Sequence, residues 1–446
     1  MSSTRRTSKL SPKVPLLKRI HAGGAELSVP THFRCPISLD LMRDPVIAST
    51  GITYDRQSIE SWLDRGNWTC PVTGVPIRNE DLIPNHSLRR MIQEWCVANR
   101  SLGIERIPTP RIPVTPMQVS EILSGISSSS RRGDGAGCVA LASKVKSLGK
   151  ESERNRRCIT SCGAGRVLAA SFRDLGGESI ENSRDGALEE ILSALVCFLP
   201  LDEEAKLHIG SPGSLKSMVS ILRCGKLAGR LNSVLVLKEL VSTSDSNRLD
   251  AVAKTNGLIE ALVKLVEKPI SPQTTKASLV TAFYLVSSNE RIASKFVEFG
   301  LVPLLLEILV DSEKSMSEKA LAVLDGLLSC KRGRQSGLKH ALMVPILVKK
   351  MFRVSDMATE FAVSALWKLC KNGEKEDLEE RREAGEGCLV EALQVGAFQK
   401  LLLLLQVGCC GTTKEKASEL LKLLNASRAS VECIETVDFK GLKRPF

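Results

Sequence analysis

The chain has 446 residues, of which 43% are apolar, 25% are charged and only 4% are aromatic, and its formal net charge at pH 7 is +12. This length allows two or more domains with their own cores, and the balance of apolar and charged residues excludes a wholly disordered chain. Because we find no transmembrane-length apolar run and no signal-peptide core, we expect no transmembrane segment and a reducing compartment, the cytoplasm or also the nucleus.

Residues 1–28 begin the chain as a basic tail. The first 20 residues contain six lysines and arginines and no acidic residue. Such an arm can bind nucleic acid or an anionic membrane, or act as a nuclear import signal. Since it has no aromatic residues for base stacking, we interpret it as a solvated disordered tail and expect no nucleic-acid partner.

Residues 29–103 contain two short stretches, Cys35-Pro36-Ile37-Ser38 and Cys70-Pro71-Val72-Thr73. Each has the form of a zinc-binding Cys-x-x-Cys knuckle in which a hydroxyl residue replaces the second cysteine. A tetrahedral structural zinc needs four Cys or His ligands, and neither stretch supplies more than one. We therefore expect no metal and no cofactor. An amphipathic helix with Asp55 as its expected N-cap separates the two stretches, and a second helix begins near His86.

Residues 104–136 contain four prolines and a run of four serines, which predict a flexible linker with one helical turn at most. Residues 137–428 are rich in Leu, Ala and Val at helical spacing, with a charged insertion over 373–387 that we expect to be a solvated loop. Residues 429–446 are predicted to be a C-terminal tail.

The helical tract repeats. Similar apolar segments begin at 163, 213, 257, 300, 342 and 396, and they are separated by 42 to 54 residues. Five of them start with glycine, which suits a sharp turn between helices. One helix pair cannot bury its apolar face alone, so stacked pairs must form a continuous core. These repeats resemble armadillo repeats, whose period is about 40–47 residues. We predict about six of them in an all-α solenoid.

The unit at 29–103 resembles a U-box, the zinc-free relative of the RING domain, in the order and spacing of both loops and of the helix between them. The whole chain is similar to the plant U-box/armadillo ubiquitin ligases, so we expect a small α+β U-box followed by an armadillo solenoid. The resemblance implies an E3 ubiquitin-protein ligase without a covalent nucleophile. Its partners would be a ubiquitin-conjugating enzyme (E2) with ubiquitin and a protein substrate on the armadillo repeats, in defence or stress signalling.

The resemblance also implies roles for particular residues. The expected E2-binding residues are Ile37, Leu39, Pro71 and Trp62, with Trp62 as a wall of the docking groove. Hydroxyl and carboxylate side chains are expected to replace zinc by bracing the loops with hydrogen bonds of about 1 kcal/mol each; they are Ser38, Asp44, Thr53, Asp55, Arg56 and Thr73.

Some U-boxes have a basic residue just after the second loop that contacts ubiquitin. Here Gly74 holds that place, and Arg78 is the nearest substitute. One alternative is a non-catalytic armadillo adaptor whose U-box only recruits a partner or forms a homodimer. Another is nuclear-cargo binding, which needs repeated Trp and Asn residues along the groove. Trp367 is the sole tryptophan of the predicted solenoid, which argues against that function.

Overall fold

The computed structural model describes most of the chain as two compact units, Met1–Ile112 and Pro113–Phe446. Each unit has its own apolar core. The predicted tail at 1–28 lies outside the described residues. The described ranges are 29–78, 82–109, 113–176, 185–242, 246–371 and 379–435.

The first unit is built on a small antiparallel sheet. Its strands are β1 (Pro45–Ile47), β2 (Thr53–Asp55) and β3 (Ile83–Pro84), in the order β2-β1-β3. Helix α1 (Arg56–Asp64) follows β2 directly, and α2 (His86–Ala98) follows β3.

Apolar residues from every element of this unit meet in one core. Val46 of β1, Tyr54 of β2, Ile59 of α1 and Ile92 of α2 are completely buried. Val46 and Tyr54 are direct partners across the sheet, so their side chains lie on the same face. The strands and helices of this unit contain few of its residues, so the loops around Cys35 and Cys70 must be fixed by other contacts.

In the second unit, every regular element that the structure describes is an α-helix, apart from one 3₁₀ turn at Val196–Phe198. The helices are α3 (Pro116–Arg131), α4 (Gly135–Glu151), α5 (Glu153–Ser161), α6 (Ala164–Leu175), α7 (Asp185–Leu195), α8 (Glu203–Ile209), α9 (Pro212–Cys224), α10 (Leu227–Ser242), α11 (Ser246–Ala253), α12 (Leu258–Glu267), α13 (Pro272–Ser288), α14 (Glu290–Glu298), α15 (Leu301–Asp311), α16 (Lys314–Leu327), α17 (Lys331–Leu338), α18 (Met343–Lys350), α19 (Asp356–Lys371), α20 (Glu379–Gln394), α21 (Ala397–Val407) and α22 (Gly411–Glu435).

Every third helix belongs to one stack. Each of α4, α7, α10, α13, α16 and α19 packs against the next member of the series, which ends with α22. We call these seven the ladder helices. The helix before each ladder helix packs on it, and the buried side chains of these helices form one continuous core. This arrangement confirms the predicted all-α repeat solenoid.

The repeat positions agree with the predicted glycine turns at four sites. Gly163, Gly257, Gly300 and Gly396 are the N-caps of α6, α12, α15 and α21, with φ between 78° and 83°. Other residues adopt this left-handed backbone at a cost of about 1–2 kcal/mol. Gly213 differs, because α9 already begins at Pro212, one residue before it, and is capped by the side chain of Ser211.

The predicted linker over 104–136 is wrong for its second half, because α3 fills it. Thr115 and Gln118 form a reciprocal capping box at the start of α3, and Pro116 occupies the first turn, where its missing N–H is tolerated. Val119 and Ile126 are buried, and α3 packs on α4 and α6. The serine run lies inside this helix, where Ser130 Oγ donates to the carbonyl oxygen of Ser127 at 3.0 Å.

Two further boundaries differ from the prediction. Helix α22 continues to Glu435, so residues 429–435 are helical and not a tail. In the charged insertion, residues from Glu379 onward belong to α20, while 372–378 lie outside the described residues. Glu, Lys and Arg are common in helices as well as in solvated loops, so composition could not separate the two.

In the part of the chain that the structure describes, no single helix combines the length and apolar content needed to cross a membrane. Gly387–Gln394 and Ala397–Val407, bent by 71°, meet these criteria only when taken together.

Candidate functional site

The first loop, residues 33–42, is closed by backbone hydrogen bonds around Cys35. The N–H of Cys35 donates to the carbonyl oxygen of Asp40 at 2.9 Å, and the N–H of Leu39 donates back to Cys35 at 2.8 Å. One step further out, the N–H of Met42 donates to Phe33 at 2.9 Å. We call this segment loop 1.

The second loop, residues 68–77, repeats the same pattern around Cys70. The N–H of Cys70 donates to the carbonyl oxygen of Val75, and the N–H of Gly74 donates back to Cys70, both at 2.8 Å. The N–H of Ile77 donates to Trp68 at 3.0 Å. This segment, loop 2, therefore has the same hydrogen-bond offsets from its cysteine as loop 1.

The correspondence extends to backbone conformation. Four residues after each cysteine the chain is left-handed, at Leu39 with φ of 62° and at Gly74 with φ of 72°. By the same offset, Ile37 of loop 1 corresponds to Val72 of loop 2. Loops 1 and 2 are thus two copies of one turn, and backbone hydrogen bonds close both of them.

The predicted E2-binding residues occupy these loops in different environments. Leu39 is 53% exposed, Pro71 is exposed, and Ile37 is half-buried against the core of the first unit. Trp62 of α1 is also half-buried, and its indole Nε1 donates to the carbonyl oxygen of Thr69 at 2.8 Å. This contact makes Trp62 a support that fixes loop 2 on α1.

Loop 2 exposes three further apolar side chains that the sequence reasoning did not single out. Trp68, Val72 and Val75 are 60%, 57% and 50% exposed. Val72 could have been found by aligning the two Cys-Pro stretches, since it takes the place of Ile37. Trp68 and Val75 lack such a signal, because exposure of a loop side chain depends on how the loop folds back.

Three of the predicted brace residues form one charged network. Arg56 Nε donates to Asp44 Oδ2 at 2.7 Å, and Arg56 also lies 3.7 Å from a carboxylate oxygen of Glu60. Asp55 Oδ1 accepts from the backbone N–H groups of Arg43 at 2.8 Å and of Asp44 at 3.0 Å. Asp55 does hold the N-cap position of α1, but its side chain does not cap the helix. It instead fixes the chain that leads from loop 1 into β1.

Loop 2 is attached to the sheet through the thiol of Cys70. Cys70 is 2% exposed, and its Sγ lies 2.9 Å from the hydroxyl of Tyr54, 3.6 Å from Thr50 Oγ1 and 3.3 Å from the N–H of Thr73. Burial raises the pKa of Cys70, but hydrogen bonds from Thr73, Tyr54 and Thr50 outweigh it and lower the pKa to about 6. Burial and the same contact raise the pKa of Tyr54.

The remaining predicted braces act more locally than expected. Ser38 Oγ accepts from Asp40 N–H at 3.4 Å, and Thr73 Oγ1 accepts from Val75 N–H at 3.5 Å, so neither hydrogen bond leaves its own loop. The expectation that these two hydroxyl groups would brace one loop against the other is wrong for these bonds. Thr53 does connect two elements, because its hydroxyl accepts from Asn85 Nδ2 at 3.4 Å at the start of α2.

Among the described residues, no group of three or more His, Cys, Asp or Glu side chains is arranged to hold a metal ion. A basic residue was considered directly after the stretch Cys70-Pro71-Val72-Thr73; Gly74 at that position faces open space, and Arg78 is exposed. What the geometry provides is therefore a surface of exposed apolar side chains on two matched loops.

Comparison with protein families agrees with the division of the chain. The family described as U-box domain matches residues 29–101, and the family described as plant U-box protein ARM repeat region matches residues 118–443. The second match begins inside α3, which agrees with the position of α3 in the solenoid.

Curated relatives match nearly the whole chain. U-box domain-containing protein 21 of Arabidopsis thaliana is 43% identical over 95% of this chain and 94% of its own length. U-box domain-containing protein 20 of the same plant is 41% identical over 94% and 93%. E3 ubiquitin-protein ligase PUB23, also from Arabidopsis thaliana, is 35% identical over 89% and 93%. The chain therefore belongs to the family of plant U-box proteins that carry an armadillo repeat region.

Proposed function

We propose that this chain is an E3 ubiquitin-protein ligase whose U-box docks an E2 that carries a ubiquitin thioester. The family match of residues 29–101 supports this proposal, as do two relatives whose names contain this activity, PUB23 and PUB22, at 35% and 34% identity. The substrate would be held by the armadillo repeats.

The observation that carries the proposal is the pair of apolar loop surfaces. Leu39 and Val72 are more than half exposed on two loops of equal backbone shape, while the core behind them is closed. Exposed apolar side chains on a rigid frame are typical of a protein-binding surface. We assign Ile37, Leu39 and Pro71 to contact with the E2, and Trp62 to the support of loop 2.

The proposed chemistry takes place on the E2. The amine of a substrate lysine attacks the thioester carbonyl carbon, the new isopeptide bond forms, and the E2 cysteine leaves as thiolate while the amine loses its proton. The ligase contributes by holding the thioester and the lysine in a reactive orientation. Cys70 takes no covalent part, because its thiol is buried beneath loop 2.

The ladder helices provide the proposed substrate surface. Phe283 of α13 and Phe361 of α19 lie with ring centroids 6.2 Å apart, although α16 stands between these two helices in the ladder. Tyr284 packs against Phe283 at 5.5 Å. All three rings are partly exposed, so the ladder presents aromatic side chains that a partner can bury.

Reconstitution with E1, a panel of E2 enzymes, ubiquitin and ATP tests the proposal. We expect self-ubiquitination by the full chain, and we expect Ile37→Ala to reduce its rate at least about tenfold, as for a central contact of an interface. Val97→Ala is the matched control, because Val97 is 57% exposed on α2 and lies outside both loops. It should retain the rate of the unaltered chain.

A different outcome would favour the adaptor. If no E2 of the panel supports chain formation, the ligase proposal is rejected and the U-box only recruits a partner or forms a homodimer. Light scattering of the full chain then distinguishes these two functions, because a homodimer has twice the mass of a single chain.

A further inference from the structure

The N-terminal end of the ladder helix α16, the C-terminal end of α18 and the turn before α19 border a hollow lined almost entirely by cationic and hydroxyl side chains. It has a volume of about 120 Å³, large enough for several water molecules or one phosphate group. We call it the basic hollow. Its polar lining residues are Ser312, Lys314, Ser317, Lys349, Lys350 and Arg353.

Lys350 shows how little negative charge this hollow contains. Its Nζ donates to the neutral Ser317 hydroxyl at 3.1 Å. Burial lowers the pKa of Lys350, the neighbouring charges of Lys349 and Arg353 lower it further, and Asp311 acts in the opposite direction. Like charges held this close repel one another, and a bound anion would remove that repulsion.

Two of the nearby carboxylates are engaged elsewhere, and Asp311 is the nearby carboxylate whose charge acts on Lys350. Glu313, which precedes α16, pairs with Lys276 of α13. Glu318 accepts a hydrogen bond from Ser355 at 2.5 Å. Within the described ranges, the structure gives no ion pair between a carboxylate and the cationic side chains of the basic hollow.

The segment that carries Arg353 is held in place from within the fold. Phe352 has a left-handed backbone with φ of 64°, and its N–H donates to Thr359 Oγ1 at 3.0 Å. A non-glycine residue adopts this conformation only where the surrounding contacts enforce it. Arg353 is therefore presented from an ordered turn, which lowers the entropic cost of binding.

A second hollow, with mostly apolar walls, lies next to the basic one, and Ser312 lines both. It has a volume of about 400 Å³ and lies between α15 and the turn that precedes α13. Ile270, Ile308 and Met316 contribute to its walls, and the acidic residues Glu307 and Asp311 are also among its lining residues. We call it the apolar hollow.

We propose that the two hollows together bind a phosphorylated peptide segment of a protein substrate, with a phosphoserine or phosphothreonine in the basic hollow and a neighbouring apolar side chain in the apolar hollow. A phosphate dianion offers three strong acceptors to lysine and arginine donors. An all-polar inositol phosphate would leave the apolar hollow unused, and a longer polyanion would meet Glu307 there. The inference rests on the proposed function in that it names the class of substrate.

Binding of labelled peptides to the full chain tests this proposal. The probe is a fluorescein-labelled degenerate peptide library with a fixed central phosphoserine, compared with the same library carrying serine. We expect the phosphorylated library to bind at least about tenfold more tightly, with an affinity that falls as salt rises, because charge-assisted contacts dominate. Recovered peptides should be enriched in apolar residues next to the phosphoserine.

The test variant is Lys349→Glu combined with Arg353→Glu, and its matched control is Lys144→Glu combined with Lys150→Glu. The control makes the same change of charge at two exposed lysines of α4, far along the ladder. We expect the phosphopeptide preference to be lost only in the first variant. Since Lys349 and Arg353 are on the surface, a thermal melt should show the test variant folded, as well as the control. The single variant Arg353→Gln should weaken binding of the phosphorylated library about fivefold.

Three results would overturn the proposal. They are equal binding of both libraries, an equal loss in the α4 control, and binding only to phosphatidylcholine vesicles that contain phosphatidylserine, which would assign the hollow to a lipid surface. The measurement contains no ubiquitin, E1 or E2. Its failure therefore leaves the ligase assay untouched, and failure of the ligase assay leaves this result interpretable.

Discussion

Leu39 and Gly74 occupy the same backbone position in loops 1 and 2, but only one of them is suited to it. The left-handed conformation is free of strain for glycine and costs a leucine about 1 kcal/mol or more. Leu39 recovers little of this by packing, because its side chain is 53% exposed. Leu39 therefore adds little to the stability of the isolated unit, which agrees with the proposed contact with the E2.

This difference predicts opposite effects of two substitutions. Leu39→Gly should leave the U-box at least as stable, with a gain of up to about 0.5 kcal/mol, while ubiquitin transfer falls. Gly74→Ala should destabilise it by about 1 kcal/mol through the backbone alone, since an added Cβ meets no atom within 4 Å. Denaturant unfolding of the full chain and the reconstituted ligase assay measure both. A clear loss of stability in Leu39→Gly would show that Leu39 packs in the core.

The contact between Cys70 and Tyr54 predicts a pH dependence of stability. The pKa of Cys70 is about 6 in the folded chain and has an ordinary value of 9.0. Between these values the unfolded chain binds more protons, so stability should rise with pH from about 6 to about 9 and fall as pH drops through 6.

The variant Tyr54→Phe tests the source of this slope. It removes the hydrogen bond at 2.9 Å, so the pKa of Cys70 should rise and the slope should flatten. The free energy of unfolding should also fall by about 1–2 kcal/mol near neutral pH. Denaturant titrations across the same pH window measure both quantities, with Thr50→Val as the comparison for a longer contact of 3.6 Å. An unchanged slope in Tyr54→Phe would mean that the Tyr54 hydroxyl does not set the pKa of Cys70, and a flat profile of the unaltered chain would mean that Cys70 stays protonated in the folded state.

At the scale of elements, loops 1 and 2 are closed by backbone hydrogen bonds and attached by buried side chains. Since these contacts need no ion, a chelator should leave the unfolding transition of the U-box in place. A structural zinc contributes on the order of 10 kcal/mol in small fingers, so its removal would be unmistakable. Calorimetry of the full chain with and without EDTA checks this expectation, and loss of the U-box transition on chelation would contradict it.

Sequence reasoning identified the loops but not what holds them. The repeated Cys-Pro stretches marked the position of both turns, and Asp44, Asp55 and Arg56 do form a network there. The role of Cys70 was missed, because a single buried thiol gives no sequence signal until the hydroxyl of Tyr54 is known to point at it. Residue types likewise do not show that backbone hydrogen bonds close a loop.

At the scale of the whole molecule, the repeat period predicted the solenoid, because regular spacing of apolar segments depends only on the sequence. The first helix of the solenoid was missed for a physical reason. Proline breaks a helix in its interior but is favoured in its first turn, so Pro116 marked a start where a break was expected. One contact inside the solenoid was also not predicted. The Sγ atoms of Cys370 and Cys388 lie 3.7 Å apart, although these residues are 18 positions apart in the sequence.

The position of α3 determines where this protein can be divided. A fragment that begins at residue 137, at the predicted end of the linker, would lack α3 and the first residues of α4. The side chains of α6 that now lie against α3 would face water, as would the partners of Ile122, Leu123 and Ile126. An end repeat that exposes its apolar face is prone to aggregation. A cut near residue 113, where the two compact units separate, would keep the end of the solenoid covered.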